Sequence, residues 1–154
     1  VSLLEAAMRS NGIEGKQIEL EITESMMMED IGDAVTYLAR FKELGVGIAI
    51  DDFGTGFSSL SYLRQLPIDT LKVDRAFVRD IGQNGDGERI GEMIVALSKL
   101  LHLNTVAEGV ETQRQAETVR AWGCQIAQGF LYSPALAPDE FEQWVRSRPA
   151  TPHP

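Results

Sequence analysis

The chain has 154 residues, 44% of them hydrophobic, and a formal net charge of −9 at pH 7. This size suits one domain with a buried core. The acidic balance argues against a nucleic-acid polymer as partner, because such binding requires basic patches that neutralise phosphates. No apolar run is long enough for a membrane span, so we expect no membrane contact by this segment. The one cysteine excludes an internal disulfide and favours a reducing compartment. We therefore expect a cytoplasmic location, although a longer parent protein could be membrane-anchored.

The hydrophobic pattern alternates helices and strands along the chain. The first residues, VSLLEAAMRSNG, are typical of the end of an amphipathic helix. A strand is predicted at 17–22 and a helix at 29–45, which ends at a capping glycine. The pattern then predicts a strand at 46–51, a short helix at 58–66 and a strand at 69–74.

The second half continues the same alternation. A short helical piece follows Asp74, and a longer helix is predicted at 88–103. Strands are predicted within 104–110 and 124–133, with helices at 112–123 and 137–147. The domain is thus predicted to cover residues 1–147, with a disordered tail at 148–154.

Five strand–helix units predict a parallel sheet of the α/β class. An open doubly wound sheet would accept five units. A closed (β/α)₈ barrel needs eight units and about 250 residues. The periodicity leaves both architectures open.

Polar residues follow the apolar part of every predicted strand. In chain order they are Glu21 and Glu24, Asp51 and Asp52, Lys72 and Asp74, Glu108 and Glu111, and Gln128. Because the carboxyl ends of parallel strands open on one face, we expect these side chains to converge on one site.

Several carboxylates beside one lysine favour a metal site. Like charges a few ångströms apart disfavour joint ionisation, and Lys72 alone does not offset them. Oxygen-only ligands without nearby His or Cys favour Mg²⁺, Mn²⁺ or Ca²⁺ over Zn²⁺. The adjacent aspartates can bridge two metals, and two-metal sites suit displacement at phosphorus. Lys72 would orient or deprotonate the attacking water, or stabilise phosphoryl charge.

Each of these residues also has a purely structural interpretation. A lone glutamate at a strand end is commonly a solvated rim residue, and two aspartates after a strand often form a turn or helix cap. Lys72 and Asp74 can form a plain ion pair, and Gly54 and Gly56 can be ordinary turn residues. The convergence of five positions on one face favours the metal site over these separate explanations.

Four ordered motifs resemble the C-terminal part of the EAL domain, a bacterial phosphodiesterase that hydrolyses cyclic di-GMP to linear pGpG. They are ELEITES, AIDDFGTGFSSLSYLRQLPIDTLKVDRAFV, VAEGVET and QIAQGFLYSPAL. The resemblance covers residues 10 to 146. It implies a modified TIM (β/α)₈ barrel, present here as a partial barrel of about five βα units without the N-terminal strands.

The resemblance also implies roles for the matched residues at the metals. Two ions, Mg²⁺ or Mn²⁺, would be held by Glu21, Asp51, Asp52 and Glu108. The catalytic set would be Lys72, Glu108 and Asp51, with Lys72 in contact with the catalytic water.

Further residues would bind cyclic di-GMP or support the loop after the second strand. The substrate contacts would be Gln128, Glu111 and Asp74. The loop support would come from Glu24, Phe53, Gly54, Thr55 and Gly56. The loop and helix after Asp52 would also form a homodimer.

Two motifs of the family are absent. These are the name-giving Glu-Ala-Leu motif and an Asn-Leu-Ser-type motif on a later strand. LLEAAM at 3–8 lies in a predicted helix, and the chain begins with Val. We therefore expect a truncated reading frame whose complete domain is a phosphodiesterase, while the isolated chain is weakly active or inactive. The alternative is a non-catalytic cyclic di-GMP receptor or a protein-interaction module.

Overall fold

Five parallel strands lie side by side in chain order and form one sheet. The computed structural model describes residues 1–24, 31–54, 63–83 and 85–148, apart from the side chains of residues 31 and 33. The strands are β1 (Glu19–Thr23), β2 (Gly47–Phe53), β3 (Thr70–Val73), β4 (Asn104–Ala107) and β5 (Ile126–Ala127). The predicted α/β class with a parallel sheet is confirmed.

Helices connect the strands and flank the sheet. They are α1 (Ser2–Asn11), α2 (Ile31–Glu43), α3 (Arg75–Arg79), α4 (Asp86–Leu100), α5 (Gln113–Trp122) and α6 (Pro138–Ser147), with a short 3₁₀ helix at Gly15–Gln17. A capping box of Thr112 and Gln115 begins α5, and Gly123 ends it with φ 86°. The predicted helix at 58–66 lies mostly outside the described residues, as does the tail from 149 to 154.

The hydrophobic core lies between one face of the sheet and the helices. Ile48 and Ile50 of β2 and Leu71 and Val73 of β3 are fully buried. They belong to one cluster with residues from the helices, such as Ile94 of α4. Burying each such side chain contributes about 1.5–3 kcal/mol. Alternation along a strand then places the intervening residues on the opposite face.

That opposite face carries polar groups. Thr70 and Lys72 alternate with the core residues of β3, and each is only 3% exposed. The Thr70 hydroxyl donates a hydrogen bond of 2.8 Å to Glu19 of β1. Lys72 lies opposite Val106 of β4. The sheet therefore separates an apolar face from a face that can hold charge.

The structure adds detail to the sequence interpretation. β4 and β5 lie within the stretches predicted to contain them, and Glu108 and Gln128 directly follow the last residues of these two strands. Cys124 is half-buried, and its thiol contacts the carbonyl oxygens of Thr105 and Ile126. In the part of the chain that the structure describes, no helix has the length and apolar character needed to cross a membrane.

Candidate functional site

Three carboxylates surround one buried lysine at the carboxyl ends of the strands. The Lys72 ammonium lies 2.7 Å from Glu21, 3.4 Å from Asp51 and 2.5 Å from Glu108. These residues come from the ends of β1 to β4, in chain segments far apart in sequence. The ion pair with Asp74, the structural alternative for Lys72, is not among those that the described residues form. The predicted convergence therefore brings four of the site residues together.

The charges of this cluster hold Lys72 protonated. Burial disfavours the ammonium, but the hydrogen bonds from Lys72 to Glu108 and Glu21, together with the negative charges of Glu108 and Asp51, keep the pKa of Lys72 above its ordinary value. A protonated lysine donates hydrogen bonds and does not accept a proton. This arrangement favours orientation of water or stabilisation of anionic oxygens by Lys72, and it disfavours the role of base.

Burial dominates at Glu108. Burial is the largest cause that raises the pKa of the Glu108 carboxyl, the hydrogen bond and charge of Lys72 lower it, and the charges of Asp51 and Glu21 raise it, so that the pKa lies above its ordinary value. One ammonium does not compensate three carboxylates. The cluster therefore retains an excess of negative charge.

The adjacent aspartates point to different partners. The strand pairing is irregular between Ile50 and Phe53, and Asp52 adopts φ 56°, which is uncommon for a residue with a side chain. Asp51 lies beside Lys72, whereas Asp52 lies close to Asp74. Burial raises the pKa of Asp52 first, and the charge of Asp51 raises it further. Backbone strain of this kind is concentrated at functional sites.

A buried carboxylate contacts the start of the loop after β2. Glu24 is 4% exposed and accepts a hydrogen bond of 3.1 Å from the N–H of Gly54. Gly54 has φ 92°, and a side chain there would press on Ile94 and Phe77. Phe53 is buried. The other predicted loop-support residues, Thr55 and Gly56, lie outside the described residues.

The predicted substrate-binding residues occupy three different environments. The amide of Gln128 donates a hydrogen bond of 2.9 Å to Glu108, so Gln128 joins the charged cluster. Glu111 is exposed at the beginning of the segment that leads into α5. The carboxylate of Asp74 accepts a hydrogen bond of 2.7 Å from Ala76 and caps α3. The cap therefore fixes the position of the Asp74 carboxylate at the beginning of α3.

The donor chemistry of the cluster suits a hard cation. Its ligands are all carboxylate oxygens, which Mg²⁺, Mn²⁺ and Ca²⁺ prefer. However, no group of three or more His, Cys, Asp or Glu side chains among the described residues is arranged to hold a metal ion. The carboxylates gather around the Lys72 ammonium instead. The chemistry and charge of these residues thus suit divalent cations, while in this structure their carboxylates contact the Lys72 ammonium.

A cavity of about 540 Å³ adjoins the cluster. Its lining includes the predicted residues Glu108, Glu111 and Gln128, and two that the sequence interpretation did not single out, Arg75 and Phe130. The available signal was their position, because each directly follows the polar residue or glycine at a strand end. A concave pocket with a few convergent polar groups beside residues of perturbed pKa is a common location for a ligand site.

Comparison with known proteins gives one consistent family. The family model of the EAL domain matches residues 1–135. The cyclic di-GMP phosphodiesterase NbdA of Pseudomonas aeruginosa is 44% identical over 92% of this chain and 18% of its own length. The chain thus spans less than a fifth of that relative.

Solved structures of the same family superpose closely. The PaMucR phosphodiesterase in complex with c-di-GMP has 41% identity and a TM-score of 0.86, over 89% of this chain and 56% of that chain. The Klebsiella pneumoniae BlrP1 complex with manganese and cyclic di-GMP has 33% identity and a TM-score of 0.79, over 86% of this chain and 34% of that chain. The fold of the present chain is therefore that of part of these domains.

Proposed function

The chain belongs to the EAL domain family, and from that membership we propose that it forms part of a metal-dependent phosphodiesterase acting on cyclic di-GMP. Water would attack one phosphorus atom and break one P–O bond of the ring, which yields linear pGpG. The relatives and solved structures named for cyclic di-GMP support this substrate.

One observation carries the proposal. The Lys72 ammonium contacts Glu21, Asp51 and Glu108 at the mouth of the sheet. The Lys72 side chain is only 3% exposed, and its burial among three carboxylates costs desolvation free energy when the chain folds. A purely structural ion pair would not need the additional negative charges. Perturbed groups gathered from several strand ends are typical of active sites.

The residues of the chain would have separate roles in orienting the attacking water, contacting the phosphodiester and positioning the surrounding groups. Lys72 would donate a hydrogen bond to the attacking water or to a phosphodiester oxygen. Gln128 would hold the orientation of the Glu108 carboxylate through their hydrogen bond of 2.9 Å. Glu24 would fix the beginning of the loop after β2 through Gly54.

Two divalent ions are proposed at Glu21, Asp51, Asp52 and Glu108. When bound, Mg²⁺ or Mn²⁺ would supply positive charge against the phosphodiester oxygens. The excess of carboxylates over lysine supports this requirement, and so does the manganese complex of the relative BlrP1. The partner is a small cyclic dinucleotide and not a nucleic-acid polymer, in keeping with the net charge of −9.

Homodimerisation is a second part of the proposal. The predicted interface is the loop and helix after Asp52, most of which lies outside the described residues. Exposed apolar side chains of α4, Met93 at 62% and Leu100 at 79%, supply additional surface of the required kind. Sedimentation velocity across a concentration series measures the stoichiometry directly.

A non-catalytic receptor is the alternative function. The receptor is favoured by the contacts of the cluster, because its carboxylates pair with Lys72 and the described residues contain no group of side chains arranged to bind a metal ion. A receptor would bind cyclic di-GMP without turnover.

The decisive experiment is a hydrolysis assay on two proteins. The first is the chain itself. The second is a chimera in which this chain replaces the matching segment of the PaMucR phosphodiesterase domain. Each is incubated with cyclic di-GMP and Mg²⁺ or Mn²⁺, and pGpG is quantified by chromatography. Asp51→Asn tests the cluster, and chelation of the metal tests the cation requirement.

Production of pGpG by the chimera, lost on Asp51→Asn and on chelation, is the expected result. Turnover by the chain alone would show that the described strands suffice. Binding of cyclic di-GMP without turnover in either protein would replace the phosphodiesterase by the receptor.

A further inference from the structure

Two side-chain contacts cross from β1 to β3 over the strand between them. Because β2 separates these strands, their backbones lie about 10 Å apart. The first contact is the ion pair of 2.7 Å between Lys72 and Glu21 in the charged cluster. The second is the hydrogen bond of 2.8 Å that the Thr70 hydroxyl donates to the Glu19 carboxylate. Since side chains two residues apart on a strand share a face, both contacts lie on the polar face of the sheet.

The two contacts run in the same direction across the sheet. The strand register aligns Glu21 with Ala49 of β2, and Ala49 with Thr70 of β3. Glu19, which lies two residues before Glu21, therefore reaches Thr70 along a diagonal. The ion pair of the cluster follows the same diagonal, two residues further along each strand. A shift of β1 relative to β3 would thus change both contacts together.

Small residues of β2 leave room for these contacts. Ala49 is fully buried between the two outer strands. A Cβ at Gly47 would lie 3.5 Å from both the Cβ and the Cγ of Glu19, so the Glu19 side chain lies over Gly47. Because neither residue of β2 carries more than a methyl group, side chains of β1 can reach β3 across them.

The two contacts differ in how strictly they fix a distance. Lys72 has a long, flexible stem, and the side chain of its partner Glu21 is half exposed. Such an ion pair tolerates a range of carboxylate positions. Thr70 is short, β-branched and only 3% exposed, so its hydroxyl has little freedom to move. A hydrogen bond from that hydroxyl to a carboxylate is short and directional, and it therefore fixes the spacing more strictly than the ion pair does.

We propose that Glu19 and Thr70 are positioning residues for the charged cluster. Their hydrogen bond holds β1 in register with β3 and so keeps the Glu21 carboxylate beside Lys72. Neither residue contacts the substrate or the ions in this role, because both act through the strands that carry the cluster. The inference rests on the proposed function, in which Glu21 is a ligand of the divalent ions.

A second buried threonine supplies a matched control. Thr105 of β4 is fully buried, and its hydroxyl and its N–H both donate hydrogen bonds to the side chain of Gln125. Thr105 pairs in register with Leu71, a residue of the hydrophobic core, so this contact lies on the apolar face of the sheet. Thr70→Val and Thr105→Val therefore remove the same hydroxyl group from opposite faces of one sheet.

The test measures Mn²⁺ binding by the chimera described above, by electron paramagnetic resonance of the free ion and without nucleotide. We expect Thr70→Val to raise the Kd for Mn²⁺ and to lower kcat, each on the order of tenfold, with an unchanged KM for cyclic di-GMP. Thr70→Ser, which keeps the hydroxyl, should restore both values. Thr105→Val should lower the midpoint of urea unfolding but leave Kd and kcat unchanged.

Variants of Glu19 test the same hydrogen bond without altering a buried residue, because Glu19 is exposed. Glu19→Gln keeps an oxygen that accepts a hydrogen bond and should retain the Kd for Mn²⁺. Glu19→Met removes the acceptor and should match Thr70→Val. The double variant should bind Mn²⁺ no more weakly than either single variant, since both substitutions remove one bond. An equal loss in Glu19→Gln and Glu19→Met would show that Glu19 acts through its charge, which overturns the positioning role.

Other outcomes overturn the inference in distinguishable ways. An unchanged Kd in both Thr70→Val and Glu19→Met would show that the hydrogen bond does not position the cluster, and the proposed function would stand. An equal loss of Mn²⁺ affinity in Thr70→Val and Thr105→Val would assign the effect to lost stability. A chimera that binds no Mn²⁺ without any substitution would overturn the proposed function and this inference with it.

Discussion

The two ends of the sheet carry lysine ion pairs of opposite character. At the amino end, Lys42 of α2 lies 2.7 Å from both carboxylate oxygens of Asp69, just before β3. Asp69 also accepts a hydrogen bond of 2.8 Å from the N–H of Ile48 in β2. One cation there meets one anion, and both side chains are about one-third exposed. At the carboxyl end, Lys72 is 3% exposed and meets three carboxylates.

The difference separates a stabilising contact from the charged cluster that we propose as the ligand site. The balanced pair at Asp69 joins a helix and two strands and needs no further charge. The cluster at Lys72 is unbalanced, and burial raises the pKa of Glu108 within it. A fold keeps such a cost where function requires it. In barrels of parallel strands, the carboxyl end is the catalytic face and the amino end is concerned with stability.

The largest effect should come from the same chemical change made at each end. Asp51→Asn removes one charge of the unbalanced cluster, and we expect hydrolysis in the chimera to fall on the order of 10²-fold or more, with unchanged or increased stability. Asp69→Asn should leave kcat unchanged and lower the free energy of unfolding by about 1 kcal/mol. Assays and urea unfolding of both variants measure the two effects. A loss of activity in Asp69→Asn equal to that in Asp51→Asn would contradict the proposed difference between the two ends of the sheet.

Lys72→Met should be the most destabilising single change at the carboxyl end. It leaves three carboxylates together without their cation, and we expect a loss of about 3 kcal/mol at pH 7, the low end for a broken buried pair because Glu21 is half exposed. The loss should diminish toward acidic pH, where the carboxylates take up protons. Urea unfolding at several pH values measures it. A destabilisation that does not vary with pH would point to lost packing instead.

Addition of Mn²⁺ should stabilise the carboxyl end alone. At a free concentration of 100 times Kd, we expect about 2.7 kcal/mol from binding to the folded state. Asp51→Asn should abolish the shift in Tm, whereas Asp69→Asn should retain it. Calorimetric scans with and without the ion provide the measurement. An equal shift in both variants would place the cation elsewhere.

The smallest expected effect is a dependence of stability on pH in the absence of divalent ions. The folded-state pKa of Glu108 is raised above its ordinary 4.5 and that of Asp52 above 3.8. The folded chain therefore binds more protons than the unfolded chain, so stability should fall as pH rises from about 4 through these raised values. The contribution of Lys72, whose folded pKa is also raised, should persist through neutral pH and disappear only above its unfolded value of 10.5.

Glu108→Gln should flatten this acidic dependence, and Glu140→Gln on the exposed α6 is its matched control. Unfolding midpoints between pH 4 and pH 7 in a chelator provide the comparison. A rise of stability with pH in this range would show that the paired state of Glu108 outweighs its burial.

Much of the fold and of the charged cluster could be predicted before the structure. Apolar runs predict the strands that contain Ile48 and Leu71. The polar residues that follow these strands are expected at one edge of the sheet, because parallel strands have their carboxyl ends on the same side. The shortness of β5, with two residues, could not be predicted. Its length depends on pairing with β4 and not on its own side chains. That the carboxylate of Asp74 caps α3 likewise became visible only in the structure.

The sequence by itself determined the order of strands and helices, the excess of carboxylates and the family, since these depend on residue types and their spacing. Only the tertiary structure decided that Lys72 pairs with Glu21, Asp51 and Glu108, and that Arg75 lies against the backbone of Gly109. Those relations join segments far apart in the chain. Their distances follow from strand register, burial and backbone conformation, which the spacing of residues along the sequence does not predict.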